Sequence, residues 1–126
     1  MVDFYLGSNN DTTVHIMILD DQRQPLAITP GSIGHFMIAP AAPAGVAQST
    51  MTPIFMRDTT GPDVMFNNSP SGSIWWYLDC LILHSDTVSL AAGNYYYEAR
   101  VDLFDGALQY TIKSGIFTLQ STVITP

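Results

Sequence analysis

Hydrophobic and polar positions alternate most regularly along residues 95–103. The odd-numbered positions there hold Tyr, Tyr, Ala, Val and Leu, whereas the even-numbered ones hold Tyr96, Glu98, Arg100 and Asp102. Successive side chains of an extended strand point to opposite sides. The pattern therefore predicts a half-buried antiparallel strand that turns these four even-numbered residues outward.

This strand belongs to a predicted β-meander over residues 87–119. Asp105-Gly106 predicts a tight hairpin turn, because glycine tolerates the backbone conformations that such turns need. Apolar and polar residues alternate again over residues 108–113. Ser114-Gly115 predicts a second break, after which residues 116–119 form a third strand.

The rest of the chain consists of short apolar or alternating segments between turn clusters rich in Gly, Pro, Asn and Asp. No segment predicts a helix longer than a turn or two. The segments that predict strands or short apolar runs are residues 2–6, 12–19, 26–28, 32–39, 53–57, 64–66 and 74–83. Many short strands at this spacing predict an all-β fold, a sandwich of seven to nine strands.

The length of 126 residues suits one domain with its own core. We predict a single β-sandwich domain over residues 1–126, with a loop-rich insertion at residues 40–72. That insertion opens with the small, proline-bearing run PAAPAGVAQST, which predicts a long surface loop. Residues 121–126 are predicted to form a tail.

Charged residues make up only 12% of the chain, and the net charge is −7 with four cationic side chains. So few cations provide no basic patch for nucleic acid and no attraction to an anionic membrane. A weakly charged surface combined with 11% aromatic residues favours a protein that packs against other proteins. The alternative is an ordinary β domain that is poor in lysine.

Cys80 is the only cysteine, so an intramolecular disulfide and a multi-cysteine zinc site are excluded. Its apolar surroundings predict a small buried hydrophobic residue. The N-terminus carries neither a basic leader nor a long apolar segment, so we expect no secretory signal peptide and no transmembrane helix.

Residues that could carry chemistry have simpler interpretations. His15, His35 and His84 are far apart in sequence, and no carboxylate lies at a supporting offset, so we predict no metal site. The aspartates concentrate in turns, where their side chains commonly cap the backbone. Nucleophile-elbow and phosphate-loop motifs are absent from the sequence. We therefore predict no catalytic residues, no cofactor and no enzymatic activity.

The aromatic residues favour an interface. Trp75 and Trp76 are adjacent, so on a strand one would fill the core and the other would emerge. Tyr96 projects beside Glu98 and Arg100, and exposed Trp, Tyr and Arg are enriched at interface hot spots. One alternative is that both faces are buried within the domain, for instance because the loop at residues 40–50 covers the outer side. Another is a face whose rings stack on sugars. The predicted interface residues are Trp75, Trp76, Tyr96, Arg100, Pro40, Pro43 and Val46.

The meander resembles one found in virion proteins of tailed bacteriophages. The shared pattern is T-x-x-L-x-x-G-x-Y-x-Y-E-x-x-V, which begins here at Thr87 and ends at Val101. The resemblance continues through Asp105-Gly106 and through Gly115 followed by IFTL. Residues 19–26 also resemble the D-x-x-G-x-P hairpin of those proteins, although QRQ at residues 22–24 replaces its glycine.

This resemblance implies an immunoglobulin-like antiparallel β-sandwich of the baseplate upper protein, tail or neck adaptor type. Such a domain docks onto other virion structural proteins, forms homo-oligomers on a symmetric particle and is made in the host cytoplasm before it joins the virion. One alternative is a capsid decoration (cement) protein. Another, from a different class, is a carbohydrate-binding module that recognises a host glycan.

Overall fold

The computed structural model describes residues 2–7, 10–68, 72–103 and 108–120. Within them lie eight strands, one 3₁₀ turn at Gln48–Thr50 and one short helix, α1, at His84–Thr87. The strands are β1 (Val2–Gly7), β2 (Thr12–Met17), β3 (Ile33–Pro40), β4 (Phe55–Asp58), β5 (Val64–Asn67), β6 (Tyr77–Ile82), β7 (Gly93–Leu103) and β8 (Leu108–Gln120).

Two sheets pack together around one apolar core. The broad sheet has five strands in the order β1-β8-β7-β3-β4, and the narrow sheet has three in the order β2-β6-β5. The predicted all-β sandwich is confirmed. Pairing is antiparallel except at β1, which runs parallel to β8 before the chain crosses to β2 in the other sheet.

The predicted alternation along β7 is confirmed, because Tyr97, Ala99, Val101 and Leu103 are buried while the residues between them face outward. Cys80 is completely buried, as its surroundings predicted. Burial raises the pKa of the Cys80 thiol to about 12, so the group stays protonated and unreactive at neutral pH.

The predicted break at Ser114-Gly115 is wrong, since β8 runs through it and Gly115 pairs with Tyr97. The glycine is needed for space. A Cβ atom on Gly115 would lie 1.9 Å from Oδ2 of Asp3. That carboxylate oxygen accepts a 2.6 Å hydrogen bond from the Tyr97 hydroxyl, so three distant parts of the chain meet at one point.

Two of the apolar segments contain less strand than their full length. Residues 26–28 form no strand, because they follow Pro25, which has no backbone N–H and makes only an isolated bridge to Leu19. Leu26 and Ile28 pack instead against the core. The segment predicted at residues 74–83 is shorter, and β6 occupies Tyr77–Ile82.

The turn after β2 shows why aspartate is common in such places. Oδ1 of Asp20 accepts hydrogen bonds from the backbone N–H groups of Gln22 and Gln24, each 2.9 Å long. Arg23 adopts a left-handed conformation with φ of 61°. Glycine is the residue that adopts this conformation without strain.

The two long edges of the sandwich differ. At one edge Arg57 on β4 donates a 2.8 Å hydrogen bond from Nη1 to Oδ2 of Asp86 and lies 3.9 Å from the Phe55 ring centroid. That hydrogen bonding lowers the pKa of Asp86. At the other edge a cleft of about 670 Å³ opens between β2 and β8. We call it the edge cleft; its lining includes Asp3, His15, Asp20, Arg23, Tyr97 and Lys113.

The middle of the chain contributes to both sheets. Within the predicted insertion at residues 40–72, β4 forms an edge of the broad sheet and β5 an edge of the narrow sheet. The Asp105-Gly106 turn and the tail at residues 121–126 lie outside the described residues. Pairing of β7 with β8 extends to Leu103 and Leu108, on either side of that turn.

Candidate docking faces

The outward side of the broad sheet, the broad face, carries two of the predicted interface residues. Tyr96 and Arg100 alternate along β7 with buried positions, and the register places Tyr96 between Ala39 on β3 and Ile116 on β8. The register also aligns the other outward side chains of the sheet. The broad face includes Tyr5, His35, Met37, Met56, Asp58, Tyr96, Glu98, Arg100, Asp102, Ser114 and Ile116.

Apolar side chains on the broad face are strongly exposed. Met56 exposes 70% of its surface and Tyr5 exposes 63%. Met37, Tyr96 and Ile116 are half-buried between them. Methionine and tyrosine are enriched in protein interfaces, and methionine adapts its shape to a partner surface.

Polar groups on the broad face are held by hydrogen bonds across and along its strands. Nε2 of His35 lies 2.9 Å from Oδ2 of Asp102, and Nε of Arg100 donates to Oδ1 of the same residue at 3.1 Å. The Tyr96 hydroxyl donates to Oε1 of Glu98 at 2.8 Å. Burial, followed by this bond, raises the pKa of Tyr96. These bonds fix side chains that a partner would otherwise have to order on binding.

A shallow groove of about 320 Å³ crosses the broad face. Met37 and Met56 supply its apolar lining, and His35, Glu98 and Arg100 supply its polar lining. A groove with an apolar base and fixed polar groups can accept a projecting side chain or loop of another protein.

The outward side of the narrow sheet, the narrow face, carries a different set of residues. They include His15 and Met17 on β2, Tyr77 and Asp79 on β6, and Met65 and Asn67 on β5. Trp75 precedes β6 by two residues, so strand alternation carried back past Tyr77 assigns it to the same side. Trp75 is 40% exposed. Trp76 points the other way and packs edge-on against Phe66 at 6.4 Å. The two tryptophans therefore differ in environment, as their adjacency predicted.

The predicted loop residues lie at one end of the broad sheet. Pro40 ends β3 opposite Tyr95, and its carbonyl accepts a 2.8 Å hydrogen bond from Nε2 of Gln48. Oε1 of Gln48 accepts in turn from the backbone N–H of Ala42 at 2.9 Å. The Gln48 side chain thus stabilises the start of a loop in which Pro43 and Val46 are exposed.

The structure consequently separates the predicted interface residues. Tyr96 and Arg100 share the broad face, and the loop containing Pro40, Pro43 and Val46 borders it. Trp75 lies on the opposite face, and Trp76 packs against the core. Met56, Met37, Tyr5 and Ile116 were missed, because only the sheet register brings these side chains beside Tyr96.

Each histidine lies beside an aspartate that is distant in sequence, so carboxylates at nearby sequence positions did not predict these pairs. Nδ1 of His15 contacts Oδ1 of Asp79, Nε2 of His35 contacts Asp102, and Nδ1 of His84 lies 3.2 Å from Oδ1 of Asp11. The three pairs lie on separate elements. Among residues 2–7, 10–68, 72–103 and 108–120, no three His, Cys, Asp or Glu side chains are grouped to hold a metal ion.

Comparisons with known proteins add no relative, since no protein-family model and no curated protein matches the sequence. Over the described part of the chain, no helix has the length and apolar character needed to span a membrane.

Proposed function

We propose that this chain is a non-enzymatic structural component of a phage particle, a tail, baseplate or neck adaptor that docks onto other virion proteins through its broad face. The observation that carries the proposal is the exposed apolar surface of the larger sheet, centred on Met56 and Tyr96 and set among fixed polar groups. In the assembled particle this face would be buried against a partner.

The strand arrangement supports the immunoglobulin-like part of the proposal. Immunoglobulin-like sandwiches place their second, fifth and fourth strands in one sheet, as β2-β6-β5 are ordered here once β4 is counted as the extra strand of the other sheet. The Tyr95 hydroxyl donates to the Ala91 carbonyl at 2.6 Å, which matches the tyrosine corner of that fold.

The size of the broad face supports a protein partner. Its strands contain 6, 13, 11, 8 and 4 residues. Half of the residues of a strand face outward, so the sheet offers about 20 residues, close to the roughly 20–30 a side that a typical protein interface uses. Repeated placement on a symmetric particle would multiply modest contacts into durable attachment.

The test is incorporation of the protein into particles assembled without the wild-type copy. We expect Tyr96→Ala to reduce incorporation by about tenfold or more, because it removes a central aromatic contact. Tyr77→Ala is the matched control, since Tyr77 is also a half-buried outward tyrosine but lies on the narrow face. Equal incorporation of both variants would contradict the proposal.

Capsid decoration remains the second candidate because the same face could cement shell subunits. The copy number per particle separates the two positions. Six or twelve copies support a tail, baseplate or neck component, whereas hundreds of copies support decoration. A particle that contains no copy of the chain would overturn both.

A further inference from the structure

The narrow face is smaller than a typical protein interface. Its strands β2, β5 and β6 contain 6, 4 and 6 residues. About 8 residues therefore face outward, well below the roughly 20–30 a side of a typical protein interface. A ligand of a few rings suits this footprint better than a second protein does.

The chemistry of the narrow face combines flat rings with a fixed polar group. The rings of His15 and Tyr77 stack with centroids 4.1 Å apart at 17°. Asp79 contacts Nδ1 of His15 through Oδ1 and accepts a 3.0 Å hydrogen bond from Nδ2 of Asn67 through Oδ2. Imidazole, amide and carboxylate each have further hydrogen-bonding capacity beyond these bonds.

The backbone at Trp75 is held by hydrogen bonds to Asn68 and Ser73. Nδ2 of Asn68 donates to the carbonyls of Ser73 at 2.7 Å and Trp75 at 2.9 Å. Oδ1 of Asn68 accepts from the Gly72 N–H at 2.8 Å, and Oγ of Ser73 accepts from the Trp75 N–H at 3.0 Å. These bonds hold the backbone around Trp75, which lowers the entropy lost when a ligand stacks on its indole.

The edge cleft adds a concave space next to the narrow face. His15 and Met17 belong to both the narrow face and the lining of the cleft, and Leu19 also lines it. Its volume of about 670 Å³ falls within the range of about 300–1,000 Å³ usual for small-molecule sites. The lining of the cleft contains aspartates as well as Arg23 and Lys113. Its charge is therefore mixed, which does not favour a strongly ionic ligand.

We propose that the narrow face and the edge cleft form a binding site for a neutral oligosaccharide. Trp75 and Tyr77 provide ring surfaces for the apolar faces of the sugar. His15, Asn67 and Asp79 hydrogen-bond its hydroxyl groups. This site lies on the sheet opposite the broad face, so one molecule could dock through one face and hold a glycan on the other.

The experiment is a calorimetric and fluorescence titration of the full chain with maltohexaose, cellohexaose, laminarihexaose and chitohexaose. We expect at least one of them to bind and to change the tryptophan emission. We expect Trp75→Ala and His15→Ala each to weaken that binding by about tenfold or more at an unchanged melting temperature. Tyr96→Ala is the matched control and should bind like the wild type.

Each other outcome counts against the proposal. A flat response to all four oligosaccharides would overturn it. Binding that survives both Trp75→Ala and His15→Ala would place the sugar elsewhere and would also overturn it. If Trp75→Ala impairs particle incorporation while no sugar binds, the narrow face is a protein contact. None of these results bears on the effect of Tyr96→Ala on incorporation, so failure here leaves docking through the broad face intact.

Discussion

The two sheets of the sandwich present unlike surfaces to solvent. The broad face combines exposed Met56 and Tyr5 with half-buried Tyr96 over five strands. The narrow face has three strands, and on it the ring of Tyr77 stacks on His15, which contacts Asp79. The two faces therefore differ in area as clearly as in chemistry. The broad face has the area of a protein interface, whereas the narrow face has the area of a small-ligand site.

The comparison shows how one core can support two unlike faces. Strand alternation gives every outward position an inward neighbour, so both faces are built on the same buried residues. A change on one face should leave the other intact, whereas a change between the sheets should affect both.

The largest expected difference concerns two exposed methionines. Met56 is 70% exposed on the broad face, and Met65 is 55% exposed on the narrow face. Met56→Glu should reduce particle incorporation by about tenfold or more, since it buries an unpaired charge in the proposed interface. Met65→Glu should incorporate like the wild type. Quantitative mass spectrometry of purified particles measures both, and a loss of equal size would break the distinction between the faces.

The second prediction concerns the edge where Arg57 joins Asp86. Asp86→Asn should lower the free energy of unfolding by about 2 kcal/mol at neutral pH, because it weakens charged hydrogen bonds. The pKa of Asp86 is lowered from 3.8 in the folded state. The wild-type advantage is therefore complete well above pH 3.8 and declines as the pH falls through the lowered value. Urea unfolding at a series of pH values measures it, and a constant difference down to acid pH would refute it.

The third prediction concerns the contact between the sheets. A Cβ atom on Gly34 of β3 would lie 2.5 Å from Cδ1 of Leu78 and 3.3 Å from Cε1 of Phe66. Gly34→Ala should cost about 1–2 kcal/mol of stability, because these core side chains must move. Gly61→Ala is the control, since its nearest neighbour lies at 3.7 Å and the cost should be below about 0.5 kcal/mol. Thermal unfolding that fails to distinguish the two would show that the core yields freely.

The smallest expected effect is a stabilisation. Arg23 has φ of 61°, a conformation that glycine adopts without steric cost. Arg23→Gly should raise the free energy of unfolding by about 0.5–1 kcal/mol and leave particle incorporation unchanged. Chemical denaturation is the measurement. A destabilised variant would mean that the side chain of Arg23 contributes more through its place in the edge cleft than its backbone loses.

Much of the fold could be predicted from the sequence, because burial along a strand repeats every two residues. The faces of β7, the different environments of Trp75 and Trp76, and the turn role of Asp20 all follow from local rules. The predicted break at Gly115 was wrong, because the role of this glycine depends on Asp3. The side chain of Asp3 reaches Gly115 only after β1 pairs with β8.

The candidate faces were less predictable than the strands. Each histidine–aspartate pair joins residues at least 64 positions apart, so no sequence offset reveals it. Met56 and Ile116 join Tyr96 on one surface only through the register of four adjacent strands. Alternation predicts which side a residue takes on its own strand, but it does not predict which strands are neighbours.

A cryo-electron microscopy map of the native particle tests the central claim most directly. The account predicts that Met56 and Tyr96 are buried against another virion protein while Trp75 and Met65 face solvent. A map in which the broad face is open to solvent and the chain is attached through its narrow sheet would contradict it.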